Sequence, residues 1–220
     1  MSTECSGVQL ALQPLGRRPV VARFDAAPIT SDGGAVLLRE VDRRIDLLGR
    51  LAGGFVDHRD PGRIQHSLVE LVSQRVLGLA LGYEDLNDHD RLREDAVLGV
   101  VVGRTDPARA LAGKSTLNRL ELTPEDADAS HRYKKVVAQP AALDDLLVTL
   151  FLEAHRTPPP QIWLDLDATD DPLHGQQEGR FFHGYYDHYC YLPLYIFAGE
   201  HLLCARLREA NIDAAARAVD

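Results

Sequence analysis

Three consecutive prolines, Pro158-Pro159-Pro160, constrain this chain more than any other feature, because together they remove three backbone donors and fix three φ angles. Neither a helix nor a sheet ladder runs through such a step, so the 220 residues divide there. Before it, apolar residues recur at helical spacing. After it, they alternate with period two.

The first part opens with an extended lead-in over residues 1–30, in which Val20 to Phe24 alternates like a short strand until Pro28 stops it. Ser31 or Asp32 is placed to cap a helix whose apolar positions Leu37, Val41, Ile45 and Leu48 share one face, with Gly49 near its end. A second helix is expected from about Gln65 to Leu81, striped by Leu68, Leu71, Val72, Val76 and Leu79. Residues 84–98 read as a polar turn and a helix, and Thr116 to Leu122 as a helical piece ended by Thr123-Pro124. Pro140 suits the first turn of a strong helix that runs up to the prolines.

In the second part, Gln161 to Asp167, Tyr189 to Phe197 and His201 to Leu207 read as three strands, the last two joined at Ala198-Gly199-Glu200. Asn211 is a good cap for a further helix. The expected domains are therefore a lead-in over 1–30, a helical region over 31–157 and a strand-rich region over 161–220. The order is α+β, and the second region looks like the opening of a larger one.

With 45% hydrophobic and 26% charged residues, the composition is that of a globular protein. No basic-then-apolar leader opens the chain, and the apolar stretch around Val76 to Leu81 falls far short of the ~20 residues a bilayer-crossing helix needs. A cytoplasmic protein is expected, and Cys5, Cys190 and Cys204 are too scattered for a disulfide framework or a zinc site. The net charge of −9 is uneven: residues 161–220 hold 4 Lys+Arg against 10 Asp+Glu, leaving 20 against 23 for the rest. That balance argues against a surface that binds nucleic acid everywhere, and leaves room for a local basic face.

Four carboxylates, Asp165, Asp167, Asp170 and Asp171, fall within seven residues at the end of an apolar strand. Asp165 and Asp167 share one face of that strand, and crowded oxygen ligands favour a hard cation such as magnesium or manganese. Two-metal phosphoryl transfer needs ligands of this kind. The plainer reading is an Asp-rich turn that closes a strand.

The stretch LDLDATDDPLHGQQEG (Leu164 to Gly179), with FFHGYYDHYCYLPLYIFAGEHLLCARLREAN after it, resembles the first part of the catalytic domain of bacterial insertion-sequence DDE transposases. It is most similar to the branch whose first acidic motif reads D-x-D-x-T-D-D-P-x-H-G. Upstream, ITSDGGAVLLREVDRR, GYEDLNDHDRLRED and LAGKSTLNRLE are also similar to that branch, so the resemblance extends from about Arg23 onward. It implies a ribonuclease-H-like domain in which two Asp and one Glu bind divalent metal, Mg2+ or Mn2+, to cleave and join DNA. It also implies a partner in the terminal inverted repeats and a homodimeric assembly. Asp167, followed two residues later by Thr169, matches the first family Asp, with Asp165 the second choice, and Asp170 and Asp171 are expected to shape the turn or to meet DNA through the metal shell. The later Asp and Glu are expected beyond residue 220, which would make this chain an N-terminal portion, inactive alone, with an incomplete ribonuclease-H-like α/β domain.

For DNA contact the resemblance favours the 111–135 region: Lys114, Arg119, Arg132, Lys134 and Lys135, with Tyr133 able to stack beside them. Arg17, Arg18, Arg91 and Arg93 are further candidates, and a solvated helix face is the ordinary explanation of any one such cluster. Gly113-Lys114-Ser115 imitates a P-loop ending, but Ala108 stands where its first glycine belongs, so a loop and helix cap is expected. His174, His183, His188 and Cys190 match no standard zinc spacing. Two other functions remain open: a non-catalytic remnant acting as a DNA-binding or dimerisation module, and a hydrolase of small phosphate esters drawing on Asp187 and Glu178.

Overall fold

The computed structural model describes residues 9–23, 31–106 and 109–218. Phe24, Pro28, Ala108 and Asp220, which figure in the reading above, lie outside them, as does Cys5. Helices and small antiparallel sheets together make an α+β protein, in two compact units, 1–139 and 140–220.

The first unit begins with a hairpin, β1 (Gln9–Leu15) and β2 (Arg18–Arg23), turning at Gly16, whose φ of 60° suits a residue without Cβ. The register shifts between Leu12 and Leu15, around Pro14, which has no N–H to give the ladder. Helix α1 (Ala35–Ile45) follows, and Asp46 in the left-handed conformation separates it from α2 (Leu47–Gly53). The single helix expected up to Gly49 is thus broken, and the Asp42 carboxylate holds the break by accepting the Leu48 N–H at 2.8 Å. Asp32 contributes its carbonyl, not its side chain, to the start of α1, because its carboxylate accepts the Tyr83 hydroxyl at 2.8 Å.

The apolar face expected to bury α1 is turned outward among the described residues: Leu37 is 52% and Val41 56% exposed. Ala35 and Arg39 are buried instead, the guanidinium reaching the Gln13 carbonyl of β1 at 3.1 Å and Glu40 at 3.2 Å.

A short strand β3 (Phe55–Asp57) precedes α3 (Leu68–Ala80), whose cap is Ser67 accepting the Glu70 N–H. Then come α4 (His89–Leu92), α5 (Ala96–Val101), α6 (Lys114–Glu121) and β4 (Val136–Ala138), which pairs with β3. Helix α3 serves two cores: Leu77 meets Ala35, Leu48, Leu98 and Leu111, while Leu71 and Val72 meet Ala52, Leu117, Leu120 and Val136. Leu117 is fully buried, which is worth about 1.5–3 kcal/mol. Leu79, expected on the buried stripe, is exposed, and Ser73 and Gln74 are buried in the helix instead.

The second unit begins at Pro140 with α7 (Pro140–Ala154), on the N-terminal side of the triproline, and that helix packs on the last strand of its unit. Strands β5 (Asp165–Ala168), β6 (Asp171–Pro172), β7 (Phe181–His183), β8 (His188–Tyr191), β9 (Leu194–Ala198) and β10 (His201–Arg206) form two sheets, ordered β10-β9-β5 and β6-β8-β7. Asp144 of α7 pairs with Arg206 of β10. The single strand expected over Tyr189 to Phe197 is two strands in different sheets. Pro193 cannot donate, and Leu192 leaves the ladder to exchange bonds with Arg208, its N–H to the Arg208 carbonyl and its own carbonyl to Arg208 Nε. The helix expected from Asn211 is replaced by turns through residue 218, since the buried Arg208 guanidinium takes the carbonyls of Ala214 and Ala216 that a helix would use.

Candidate nucleic-acid interface and acidic strand end

Helix α6 owes its position to a neighbour's side chain. The Gln74 amide, buried in α3, donates to the Ala112 carbonyl at 2.7 Å and accepts the Ala112 N–H at 2.9 Å, fixing the backbone two residues ahead of the helix. Gly113 is the N-cap and offers no side chain; Asp90 of α4 substitutes, accepting the Lys114 N–H at 3.1 Å. That backbone bond is the main reason the Asp90 carboxyl titrates below the usual range, and the charge suits a helix N-terminus. Gly113-Lys114-Ser115 is therefore a loop and helix start, as expected.

The strand pairing of β4 with β3 holds the segment before it. The Lys135 carbonyl accepts the His58 N–H at 2.8 Å, Lys135 Nζ reaches the Ala129 carbonyl, and Asp128 turns the chain by accepting from Ser130. This brings residues 131–135 against α6. The Arg119 and Arg132 guanidiniums lie 5.3 and 4.8 Å from the centre of the Tyr133 ring, close enough for cation–π attraction. Tyr133 is still 55% exposed. Among the described residues, no carboxylate pairs with Arg119, Arg132 or Lys134, whereas Lys114 sits 3.3 Å from Asp90 and 3.0 Å from Asn87. All five cations expected at the DNA surface thus belong to one neighbourhood.

Two cavities open beside Tyr133 and share Arg119 as a wall. The larger, about 710 Å³, is also lined by Lys114, Asn118 and Lys134; the smaller, about 300 Å³, by Lys135 and by Arg59, Arg63 and His66. The last three are additions from the structure, since nothing in their sequence context separates them from an ordinary loop. Arg59 is tethered by both oxygens of Asp57, whose carboxyl stays ionised at lower pH than usual: burial opposes this, and the bonds from Arg59 outweigh it. Arg17, Arg18, Arg91 and Arg93 line neither cavity. Arg18 donates to the Thr105 carbonyl, and Arg93 lies 3.5 Å from Glu94.

In the second unit, Asp165 and Asp167 stand on one face of β5, both exposed, opposite Phe197 and Tyr195 of β9. β5 is the edge strand of its sheet, and Asp167 borders a cavity of about 380 Å³ with Leu194 and Ala214. Asp170 is directed elsewhere: its carboxylate meets His188 Nε2 at 2.7 Å, tying the exit of β5 to β8. Nearby, burial raises the Cys190 thiol above its ordinary pKa. Oxygen ligands of this kind suit a hard divalent cation, but no three His, Cys, Asp or Glu side chains converge on one point among the described residues. Glu178 and Asp187 do not join the strand-end pair there.

No helix among the described residues is long and apolar enough to cross a membrane. No curated protein and no solved structure matches the chain. A family does: residues 12–220 match the family described as Transposase DDE domain group 1, whose members act on DNA and use divalent metal. This match spans both the acidic strand end and the cationic neighbourhood of α6, and the chain belongs to that transposase family.

Proposed function

We propose that the chain is the N-terminal portion of a bacterial insertion-sequence DDE transposase, that its first unit grips the terminal inverted repeats, and that its second carries the first catalytic carboxylates of a ribonuclease-H-like domain. The observation that carries this reading is the gathering of Lys114, Arg119, Arg132, Lys134 and Lys135 around one exposed tyrosine, in a chain with net charge −9. An acidic protein that concentrates cations on one surface, with Arg119, Arg132 and Lys134 free of any carboxylate partner among the described residues, has built a local phosphate-binding face.

Asp167 is the metal-holding catalytic carboxylate and Asp165 its assistant, supported by their shared exposed face on β5. A bound Mg2+ or Mn2+ would supply Lewis-acid activation in phosphoryl transfer. The complete enzyme works as a homodimer in the cytoplasm. A second reading, a non-catalytic DNA-binding or dimerisation module, is favoured by one observation, that the described residues bring cations together and do not bring three carboxylates together.

The test is sequence preference. Fluorescence anisotropy compares labelled duplexes carrying the two ends of the element that encodes the chain with scrambled duplexes of equal length. The proposal expects tighter binding of the ends by the wild type and by Asp167→Ala alike. Equal binding of ends and scrambled DNA would overturn end recognition.

A further inference from the structure

Resting on the DNA-binding reading above, we infer that the larger cavity beside Tyr133 receives a single unpaired nucleotide at the end of the bound DNA, with its base against the tyrosine ring.

Shape and chemistry both favour this occupant. An open cavity of about 710 Å³ lies beside Tyr133, roomy enough for a nucleotide and lined by groups of the right kinds. Tyr133 is more than half exposed although it sits beside two guanidiniums, so its ring is available at the cavity wall rather than buried in a core. A base gains affinity by stacking on an aromatic side chain, and neighbouring arginines add to the stack. Lys134 and Arg119, which have no carboxylate partner among the described residues, are placed for the flanking phosphates. Asn118 offers an amide that can meet a base edge.

Of the three acids on the same wall, Glu84 is exposed and the other two are engaged by their own neighbours. Glu121 pairs with Arg75, and Asp85 accepts the Asn87 N–H at 2.8 Å and its side-chain amide at 2.9 Å. Of these two carboxylates, Glu121 has its charge offset by Arg75, and Asp85 is fixed in place by Asn87. The support beneath is rigid, through Gln74 and Asp90 on one side and the β3–β4 pairing on the other.

Three probes of equal phosphate count separate the possibilities: a blunt duplex, a duplex with a one-nucleotide 3′ overhang, and the same overhang carrying 2-aminopurine, whose fluorescence falls when it stacks. The full chain is expected to bind the overhang duplex about 10-fold more tightly than the blunt one and to quench the 2-aminopurine. Tyr133→Leu is expected to bring that ratio to about 1 and abolish quenching, while Tyr133→Phe keeps both. Thymidine monophosphate, which lacks flanking phosphates, is expected not to displace the overhang at the concentration where the overhang oligonucleotide itself competes. Equal binding of blunt and overhang duplexes, or quenching that survives Tyr133→Leu, overturns the nucleotide site and leaves DNA binding standing. Displacement by the free nucleotide at that concentration overturns the DNA end as its occupant. Failure to bind any duplex overturns the parent reading instead.

Discussion

Gln74 holds Ala112 at both its N–H and its carbonyl, so one side chain of α3 sets the backbone from which α6 and its cations project. Because Gln74 is fully buried, removing it leaves two main-chain groups without partners in a dry site. Gln74→Ala is expected to lower stability by about 2–4 kcal/mol in urea denaturation. It should also weaken DNA binding under conditions where the variant is still folded. Unchanged stability would mean that water replaces the amide.

Gly78 gives α3 the space that the His89 ring occupies. A Cβ there would meet His89 Cε1 at 2.8 Å and Nε2 at 3.0 Å, inside any normal contact. Gly78→Ala is therefore expected to cost about 1–3 kcal/mol, by the usual scale for overpacked cores. In the background of His89→Ala the same substitution should cost little, and the two changes should be strongly non-additive.

His89 also confers a pH dependence. Its ring is buried, and desolvation lowers its pKa below the ordinary 6.5. Nδ1 faces the Gln74 amide at 3.1 Å and Nε2 has no partner among the described residues. Above about pH 6.5 both folded and unfolded chains carry it neutral. Below that value the unfolded chain takes a proton that the folded one resists, so stability falls as pH drops, with a limiting slope of about 1.4 kcal/mol per pH unit until the folded pKa is reached. Urea midpoints at pH 7.5, 6.5 and 5.5 should show a decline between the last two that His89→Gln reduces.

The bond between Asp170 and His188 ties the acidic turn to β8. Asp170→Ala is expected to destabilise the second unit by about 0.5–1.5 kcal/mol, the ordinary worth of such a bond in a half-buried setting. Its effect on denaturation should exceed that of Asp167→Ala, whose exposed carboxylate has no such tie among the described residues. The reverse order would give Asp167 the structural role.

Much of this was legible in the sequence, for identifiable reasons. The Pro140 helix and the α3 stripe at Leu71 and Val72 were readable because local pattern and tertiary burial agree there, and the strand at Asp165–Ala168 from its period-two pattern alone, since Asp165, Leu166 and Asp167 are exposed. Helix α1 misleads because Arg39 is drawn inward by a carbonyl of the β1–β2 hairpin, so the apolar stripe of Leu37 and Val41 faces outward among the described residues. Pro193 and Arg208 redirect the chain after Tyr191 through bonds between residues 16 apart, which no local window contains. The cations from Lys114 to Lys135 were legible as a set. Arg59 and Arg63 were not, because only the β3–β4 pairing brings their loop to the same tyrosine.

The most direct test of the central claim, that the cationic neighbourhood of α6 is the DNA interface, is the salt dependence of duplex binding by wild type and by the combined variant Arg119→Ala, Arg132→Ala and Lys134→Ala. Each cation that neutralises a phosphate contributes about 0.9 to the slope of log K against log salt. The account predicts that the variant is folded, binds more weakly at every salt concentration, and has a slope shallower by about 3. Wild-type affinity and slope in that variant would contradict it and place the DNA on another surface.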